Sequence, residues 1–256
     1  VPQDEPLLGA ASDLGTTTVS LLLIDLTSGA VLARAAEYNG QIARGEDVIS
    51  RIIYAGKNHG HTELRDLVLK TIKELLKAAC ADVGAELRDI FKATVAGNST
   101  MTHLLLNLPA ETIRLSPFVT GINHLPSLTA REVGLAIWPE ATVDCLPGVA
   151  SYVGSDITAG VLAAGLEDAD ATALFLDIGT NGEIVLGDRD WLATCACSAG
   201  PAFEGAGVMD GMRATTGAIE EVWINSATHE PSYRVIGGGA PRGLCGSGLI
   251  ALLAEM

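Results

Sequence analysis

Two short turns of similar composition, each placed after a run of β-forming residues, constrain the fold of this chain most strongly. The first reads Asp-Leu-Gly-Thr-Thr-Thr from Asp13, and the second reads Asp-Ile-Gly-Thr-Asn-Gly from Asp177. The residues around each turn predict three consecutive strands joined by tight turns. The predicted strands are residues 7–14, 19–25 and 30–37 in the first copy, and 173–178, 183–187 and 191–196 in the second. A unit of this kind that occurs twice predicts two halves with the same architecture.

Helical patterns follow the first copy. Over residues 64–79 the apolar positions recur with helical spacing, and charged residues occupy the opposite face. Residues 91–97 then read as a short strand. Asn98 comes directly after it, where its side chain suits the N-cap of a helix through Leu106.

The remaining connection contains a second capped helix and a long polar stretch. Ser155 and Asp156 are predicted to cap a helix of small residues over 157–166. Residues 116–147 are rich in Pro, Gly, Asn and Thr and are predicted to be irregular surface. Strands that alternate with helices predict an α/β protein.

The chemistry of the two turns suggests phosphate binding. An aspartate at the end of a buried strand projects into the mouth of a cleft, where its carboxylate can hold Mg²⁺, usually through water. The glycine that follows allows a tight turn and lets backbone N–H groups approach a ligand. One such turn is most often only a hairpin, but two that face each other across a cleft would hold one polyphosphate from both sides. The sequence therefore predicts Asp13 and Asp177 as Mg²⁺ ligands.

Charge and length exclude several classes of partner. The chain has 256 residues and a formal net charge of −15, which disfavours nucleic acid and anionic membranes because both are negatively charged. No apolar run reaches the length of a membrane span and no leader pattern opens the chain, so a cytoplasmic location is predicted. The chain starts at Val1 and stops within an apolar helical pattern, so a longer parent protein is expected.

The five cysteines are odd in number and scattered, which predicts reduced thiols rather than a disulfide framework. Cys195 and Cys197 stand two apart on one face of a predicted strand. Buried thiols are preferred there over a metal site, because no C-x-x-C pair or nearby histidine supports one.

His59 and His61 are predicted to lie in an exposed loop. Residues 243–248 are predicted to form a tight strand-to-helix turn rather than an anion site.

The sequence around these turns resembles a known superfamily. The turns are similar to the phosphate-1 and phosphate-2 loops of the actin, sugar-kinase and heat-shock-chaperone ATPases (ASKHA). Six longer stretches together resemble the ATP-dependent reductive activators of corrinoid proteins, and the resemblance spans nearly the whole chain. These stretches are GEDVISRI (45–52), VAGNSTMTHLLL (95–106), SYVGSDITAG (151–160), LDIGTNGEIVLG (176–187), AGPAFEGAG (199–207) and GLCGSGLI (243–250).

The resemblance implies a fold, cofactors and a partner. It implies two ribonuclease-H-like, actin-like lobes, residues 1–167 and 168–256, the second truncated at its C-terminus. The implied cofactors are ATP and Mg²⁺, with a [2Fe–2S] cluster expected only on an N-terminal domain that this chain lacks. The implied partner is a corrinoid protein of a methyltransferase system, whose cobalt is reduced from Co(II) to Co(I). A homodimer is a separate prediction.

The resemblance also implies roles for individual residues. Asp13 and Asp177 correspond to the carboxylates that hold Mg²⁺. Asp47, Glu183 and Glu204 are carboxylates of the resemblance motifs and candidates for activating water, with Glu204 preferred. Asn98 is a candidate for orienting water, and a helix cap is its alternative role. The residues that match the two phosphate loops are Gly15, Thr16, Thr17, Thr18, Gly179, Thr180, Asn181, Gly182 and Glu183.

Three other functions remain open at this stage. A sugar-type kinase of the same fold would need a carboxylate base and a sugar-sized pocket, which no motif specifies. An activator of 2-hydroxyacyl-CoA dehydratases would carry Gly-Gln-Asp where this chain has Thr180-Asn181-Gly182. A docking module that has lost nucleotide binding is the non-enzymatic alternative, because the adenosine-binding turn of the family is not found in this sequence.

Overall fold

The computed structural model describes residues 6–179, 181–197, 201–205 and 207–256, apart from the side chains of Pro201 and Glu204. The strands are β1 (Leu8–Leu14), β2 (Thr18–Asp25), β3 (Val31–Tyr38), β4 (Ile90–Gly97), β5 (Leu128–Thr129), β6 (Thr142–Cys145), β7 (Ala173–Ile178), β8 (Gly182–Asp188), β9 (Trp191–Cys197), β10 (Ala218–Ile224), β11 (Pro231–Val235) and β12 (Gly243–Leu244). The α-helices are α1 (Val48–Ala55), α2 (Gly60–Val83), α3 (Ser99–Leu105), α4 (Glu111–Arg114), α5 (Ala130–Val133), α6 (Ser155–Ala164) and α7 (Gly246–Glu255). Short 3₁₀ helices cover Gly40–Arg44, Leu87–Asp89, Leu166–Asp168 and Pro201–Glu204.

A six-stranded sheet organises the first part of the chain, in the order β3-β2-β1-β4-β6-β5. Strands β1, β2 and β3 pair antiparallel, whereas β4 runs parallel to β1 and β6 runs parallel to β4. In the register of β1 and β4, Leu14 lies opposite Gly97. Because the two strands are parallel, their carboxyl ends meet at the same edge of the sheet.

Helix α2 covers this sheet on the side of β2 and β3. Its buried positions include Leu64, Val68, Ile72 and Leu76, which follow the apolar stripe predicted from the sequence. The helix ends at Gly84 in the left-handed conformation, where glycine avoids the steric cost of a Cβ atom. The main hydrophobic core therefore lies between α2 and the six-stranded sheet.

Two smaller sheets follow along the chain. The first contains β7, β8 and β9 in that order, and the second has the order β11-β10-β12. Contacts divide the chain into two compact units, Val1–Phe175 with Val185–Cys195, and Leu176–Ile184 with Ala196–Met256. The predicted lobe boundary between residues 167 and 168 follows the internal repeat and stays a prediction.

The repeated three-strand unit is confirmed, because each copy forms three sequential strands that are neighbours in one sheet. The helix after Asn98, the helix from the apolar stripe and the strand-to-helix turn at 243–248 are confirmed as well. The prediction for 116–147 was wrong in part. Strands β5 and β6 and helix α5 lie in this stretch. Strand β6 pairs with β4 and β5 pairs with β6, so residues with little local signal form one side of the sheet.

Three predictions about individual side chains were wrong in whole or in part. Cys195 and Cys197 were predicted to be buried thiols, but both are exposed, like every other residue of β9. The predicted exposed loop is confirmed for His59, an exposed turn residue directly before α2, but it was wrong for His61, which is half-buried in the first turn of that helix. Ser155 does not cap α6 with its side chain, since the N-cap residue is Gly154 and Ser155 Oγ bonds the main chain of Gly97 instead.

No helix in the described part of the chain combines the length and the apolar character that a membrane crossing needs.

Candidate functional site

The parallel pairing of β1 and β4 brings the first predicted loop to the residues that follow β4. Asp13, the next-to-last residue of β1, lies opposite Ala96 of β4, and its side chain is exposed. The chain then turns through residues 15–17 into β2, while β4 continues into Asn98 and α3. Asp13, the phosphate-1 loop (Gly15–Thr18) and Asn98 therefore occupy one edge of the sheet.

The turn at Gly15 has a local steric cause. A Cβ atom at this position would lie 2.3 Å from the carbonyl oxygen of Thr18, far inside van der Waals contact. Only glycine lets the two segments of the hairpin approach this closely. Thr16, the next residue of the turn, is buried, with 7% of its surface exposed.

Asn98 connects the phosphate-1 loop to helix α3. Its Oδ1 accepts a hydrogen bond from Met101 N (3.0 Å), which confirms the predicted helix cap. Its Nδ2 donates to the hydroxyl oxygen of Thr16 (2.8 Å). One amide side chain thus caps the N-terminus of α3 and holds a loop residue 82 positions away, because its oxygen accepts and its nitrogen donates hydrogen bonds.

A third segment reaches the same edge at the start of α6. Ser155 Oγ accepts from Gly97 N (3.0 Å) and donates to Gly97 O (2.9 Å), so α6 is fixed to the end of β4. A Cβ atom at Gly154 would lie 2.4 Å from the Cα atom of Asn98 and 2.8 Å from Asp156 Oδ1. The half-buried Asp156 carboxylate therefore lies beside Asn98. The sequence pattern suggested only a capping role for Asp156, because its position beside Asn98 arises only in the folded structure.

The second predicted loop follows β7. Asp177 is half-buried, and burial raises the pKa of its carboxyl above the ordinary value. Gly179 N donates to Asn181 O (2.9 Å), which closes the turn before β8 begins at Gly182. A bound divalent cation would favour the ionised carboxylate that burial disfavours, so Asp177 suits a metal ligand chemically.

The other site candidates have different surroundings. Asp47 is the N-cap residue of α1, where its Oδ1 accepts from Ser50 N (2.7 Å) in a capping box. Glu183 is half-buried in β8. Glu204 ends a short 3₁₀ helix, but its side chain, like the whole of Thr180, lies outside the described residues.

The donor set of these residues fits a magnesium-bound nucleotide. Carboxylate oxygens are the ligands that Mg²⁺ accepts, and glycine-containing turns present backbone N–H groups to phosphate oxygens. Within the described residues, no group of three or more His, Cys, Asp and Glu side chains forms a metal site by itself. Asp13 belongs to the first contact unit and Asp177 to the second. That both carboxylates serve one nucleotide remains a prediction.

Comparison with known proteins gives consistent matches over the whole chain. Residues 8–169 match the family described as the RACo middle region, and residues 171–256 match the C-terminal domain of RACo, the ASKHA domain. The chain is 40% identical over 257 residues to the corrinoid activation enzyme RamQ of Eubacterium limosum, which covers 99% of this chain and 42% of that protein.

Two further relatives agree with these matches. The chain is 26% identical over 231 residues to the [Co(II) methylated amine-specific corrinoid protein] reductase of Methanosarcina barkeri, over 84% of this chain and 41% of that protein. A solved structure described as a reductive activator for corrinoid, iron-sulfur protein superposes with a TM-score of 0.92 at 52% identity, over 98% of this chain and 40% of that one. The chain thus spans about two fifths of the length of the relatives that it matches.

Proposed function

The chain belongs to the RACo family and has the actin-like ASKHA fold, and from that premise we propose that it is the ATP-binding and ATP-hydrolysing module of a reductive activator. The proposed partner is a corrinoid protein of a methyltransferase system. In the proposed reaction one electron reduces its cobalt from Co(II) to Co(I), and ATP drives this unfavourable step. A homodimer and a cytoplasmic location stay predictions.

One observation supports this function most directly. Asp13, the phosphate-1 loop and Asn98 share the carboxyl edge of β1 and β4, and the Asn98 amide contacts Thr16 at 2.8 Å. Ligands of α/β sheets bind at the carboxyl ends of the strands, where side chains and loop amides converge. A carboxylate beside a glycine-threonine turn at this edge is suited to a magnesium-bound phosphate chain.

In the proposed mechanism two carboxylates would hold the cation and two loops would hold the phosphates. Asp13 and Asp177 would supply the carboxylates for Mg²⁺, and the amide groups of Gly15–Thr18 and of residues 179–182 would donate to phosphate oxygens. Mg²⁺, when bound, offsets the charge of the phosphates and of the transition state. Closure of the two lobes on the nucleotide is the conformational change that a partner could sense.

Water activation needs a carboxylate or an amide near the terminal phosphate. Glu204 remains the residue that the sequence favours. Asp47 is engaged in the capping box of α1, which ties its carboxylate to Ser50. Asp156 Oδ1 likewise accepts from Ile157 N (2.9 Å), but this carboxylate lies beside Asn98 at the same edge as the phosphate-1 loop, so we add it to the candidates for orienting the attacking water.

The electron source is proposed to lie outside this chain. A [2Fe–2S] cluster, which the family resemblance places on an N-terminal domain, would supply one electron at a time. The residues of this chain contribute the nucleotide step: they bind the phosphates, position the cation and link hydrolysis to a change in shape.

Nucleotide binding and hydrolysis test the proposal. Asp13→Asn and Asp177→Asn should each weaken Mg²⁺·ATP binding at least about a hundredfold, since each removes a charged cation ligand. Asp25→Asn is the matched control, because Asp25 also ends a strand at a turn and bonds Thr27 N and Ser28 Oγ without facing the proposed site. Wild-type binding and hydrolysis in both loop variants would overturn the assignment. No binding by the unmodified protein would favour the docking-module alternative.

A further inference from the structure

We propose that Asn39 and Arg51 form a buried clamp that holds the phosphate-1 loop from its inner side and so orients the amide groups of this loop. The inference rests on the proposed function, because the purpose of the clamp is nucleotide binding. Neither residue was singled out for the site by the sequence motifs. Both side chains are fully buried, with 0% of their surface exposed.

The clamp contacts three successive carbonyl groups. Asn39 Nδ2 donates to Gly15 O (2.9 Å), and Arg51 Nη2 donates to Thr16 O (2.5 Å). The backbone N–H of Asn39 donates to Thr17 O (2.9 Å). Every peptide oxygen from Gly15 to Thr17 is therefore held by a donor from the same two residues.

The direction of the carbonyls determines the direction of the amides. In a trans peptide the C=O and the following N–H point to opposite sides. The loop from Gly15 to Thr18 contains no proline, so its peptides are trans. With the three carbonyls directed at the clamp, the N–H groups of Thr16, Thr17 and Thr18 are directed away from it. This is the arrangement that a phosphate-binding turn requires.

Arg51 is itself rigidly held. Its Nε donates to Gly45 O (2.8 Å), and its Nη1 contacts Gln41 Oε1 (3.2 Å) and Met101 Sδ (3.1 Å). Burial lowers the pKa of Arg51 to about 10, so the guanidinium stays protonated at neutral pH. A buried cation needs its hydrogen-bond acceptors in fixed positions, because any unpaired donor would carry the cost of lost hydration.

Asn39 is held in the same network. Its Oδ1 accepts from Gln41 N (3.0 Å), and its Nδ2 also lies 3.7 Å from Met101 Sδ. Asn39 and Arg51 thus share Met101 and Gln41 as neighbours. Preorganised donors bind an anion more strongly than mobile ones, since the loop loses no further conformational freedom when the ligand arrives. We therefore assign both as positioning residues that act on the ligand through the loop.

The test compares two clamp variants with a matched control. Arg51→Met removes the donor to Thr16 O, and Asn39→Ser removes the donor to Gly15 O while keeping an acceptor for Gln41 N. Arg65→Met is the control, because Arg65 also donates to two backbone carbonyls, Leu105 O (3.1 Å) and Val133 O (2.8 Å), away from the loop. If Arg51→Met does not fold, Asn39→Ser alone decides.

Two readouts separate the clamp from general stability. Amide hydrogen exchange at residue 39, whose N–H donates to Thr17 O, reports opening of the loop, and we call it loop exchange. Measured without nucleotide, it should become about tenfold faster in the clamp variants and stay unchanged in Arg65→Met. The dissociation constant for Mg²⁺·ATP should rise about tenfold in the clamp variants only.

Each outcome decides one of the two proposals. Loop exchange that is the same in the clamp variants and in Arg65→Met would overturn the clamp. Faster loop exchange with unchanged Mg²⁺·ATP binding would also overturn it, because orientation of the loop would then not matter for the ligand. If the unmodified protein binds no Mg²⁺·ATP, the proposed function fails, and with it the role of the clamp in nucleotide binding. Loop exchange would still report whether the two side chains hold the loop.

Discussion

Asn98 donates a 2.8 Å hydrogen bond from its Nδ2 to the hydroxyl oxygen of Thr16, although the two residues are 82 positions apart in the sequence. Parallel pairing of β1 with β4 makes this contact possible, because it places the ends of both strands at one edge. The contact ties the first turn of α3 to the phosphate-1 loop. Asn98 therefore has two separable roles, which substitution can distinguish.

Asn98→Ser should separate the helix cap from the loop contact. Both variants should lose about 1 kcal/mol with the hydrogen bond to Thr16, but serine is also a good N-cap residue, so Asn98→Ser should be about 1 kcal/mol more stable than Asn98→Ala. Both variants lose the donor to Thr16 and should bind Mg²⁺·ATP several times more weakly. Thermal unfolding and nucleotide titration measure the two effects. Unchanged nucleotide binding in the serine variant would show that the contact to Thr16 has no functional role.

Gly15→Ala should destabilise the protein and abolish nucleotide binding. The added methyl group would lie 2.3 Å from Thr18 O, so the backbone of the phosphate-1 loop must move, at an expected cost of about 1–3 kcal/mol. Gly56→Ala is the control, since Gly56 has helical dihedral angles and a methyl group there would meet its nearest atom at an ordinary 3.6 Å. Urea denaturation of both variants checks the difference, and equal stability would contradict the steric argument.

Asp47 variants should separate capping from catalysis. Asp47→Ala removes the acceptor for Ser50 N and should cost about 1 kcal/mol, whereas Asp47→Ser keeps an N-cap acceptor and should be nearly as stable as the unmodified protein. We expect the serine variant to hydrolyse ATP normally, because the structure engages the Asp47 carboxylate in the cap. Loss of hydrolysis in this stable variant would instead support the catalytic role that the sequence predicted.

Stability should fall in mild acid because of His103. Burial lowers the pKa of this side chain, whose Nδ1 lies 2.6 Å from Ser99 O and whose Nε2 accepts from Gly121 N (3.0 Å). The unfolded chain takes up a proton near pH 6.5, whereas the folded protein does so only at lower pH. The contribution of His103 to the free energy of unfolding therefore decreases as the pH drops below 6.5, by at most about 1.4 kcal/mol per pH unit. It levels off below the pKa that His103 has in the folded protein.

His103→Gln provides the comparison, because glutamine does not titrate. Urea denaturation between about pH 5 and 7.5 should show a shallower pH dependence in the variant than in the unmodified protein. Parallel curves for the two proteins would exclude His103 as the cause of any acid destabilisation.

Much of the fold could be predicted because its signals are local. The strands of both copies of the repeat depend on short apolar runs and on glycine turns at Gly15 and Gly179, and these features lie within a few residues of one another. The apolar stripe of α2 is local in the same sense. The resemblance motifs identified the family, which the matches over residues 8–169 and 171–256 confirm.

Long-range pairing could not be predicted from the same signals. Strand β6 has four residues in a stretch rich in turn formers, and its strand conformation depends on pairing with β4. The spacing of Cys195 and Cys197 places both on one face of β9, but whether that face is covered depends on elements elsewhere in the chain.

The sequence by itself determined the doubled turn and the α/β class, because spacing and composition encode them along the chain, and its resemblance motifs indicated the family. Only the tertiary structure decided that Arg51 is buried and that its donors reach Thr16, Gln41 and Gly45. A charged residue is expected at the surface unless acceptors surround it, and these acceptors come from separate segments that meet only in the folded protein.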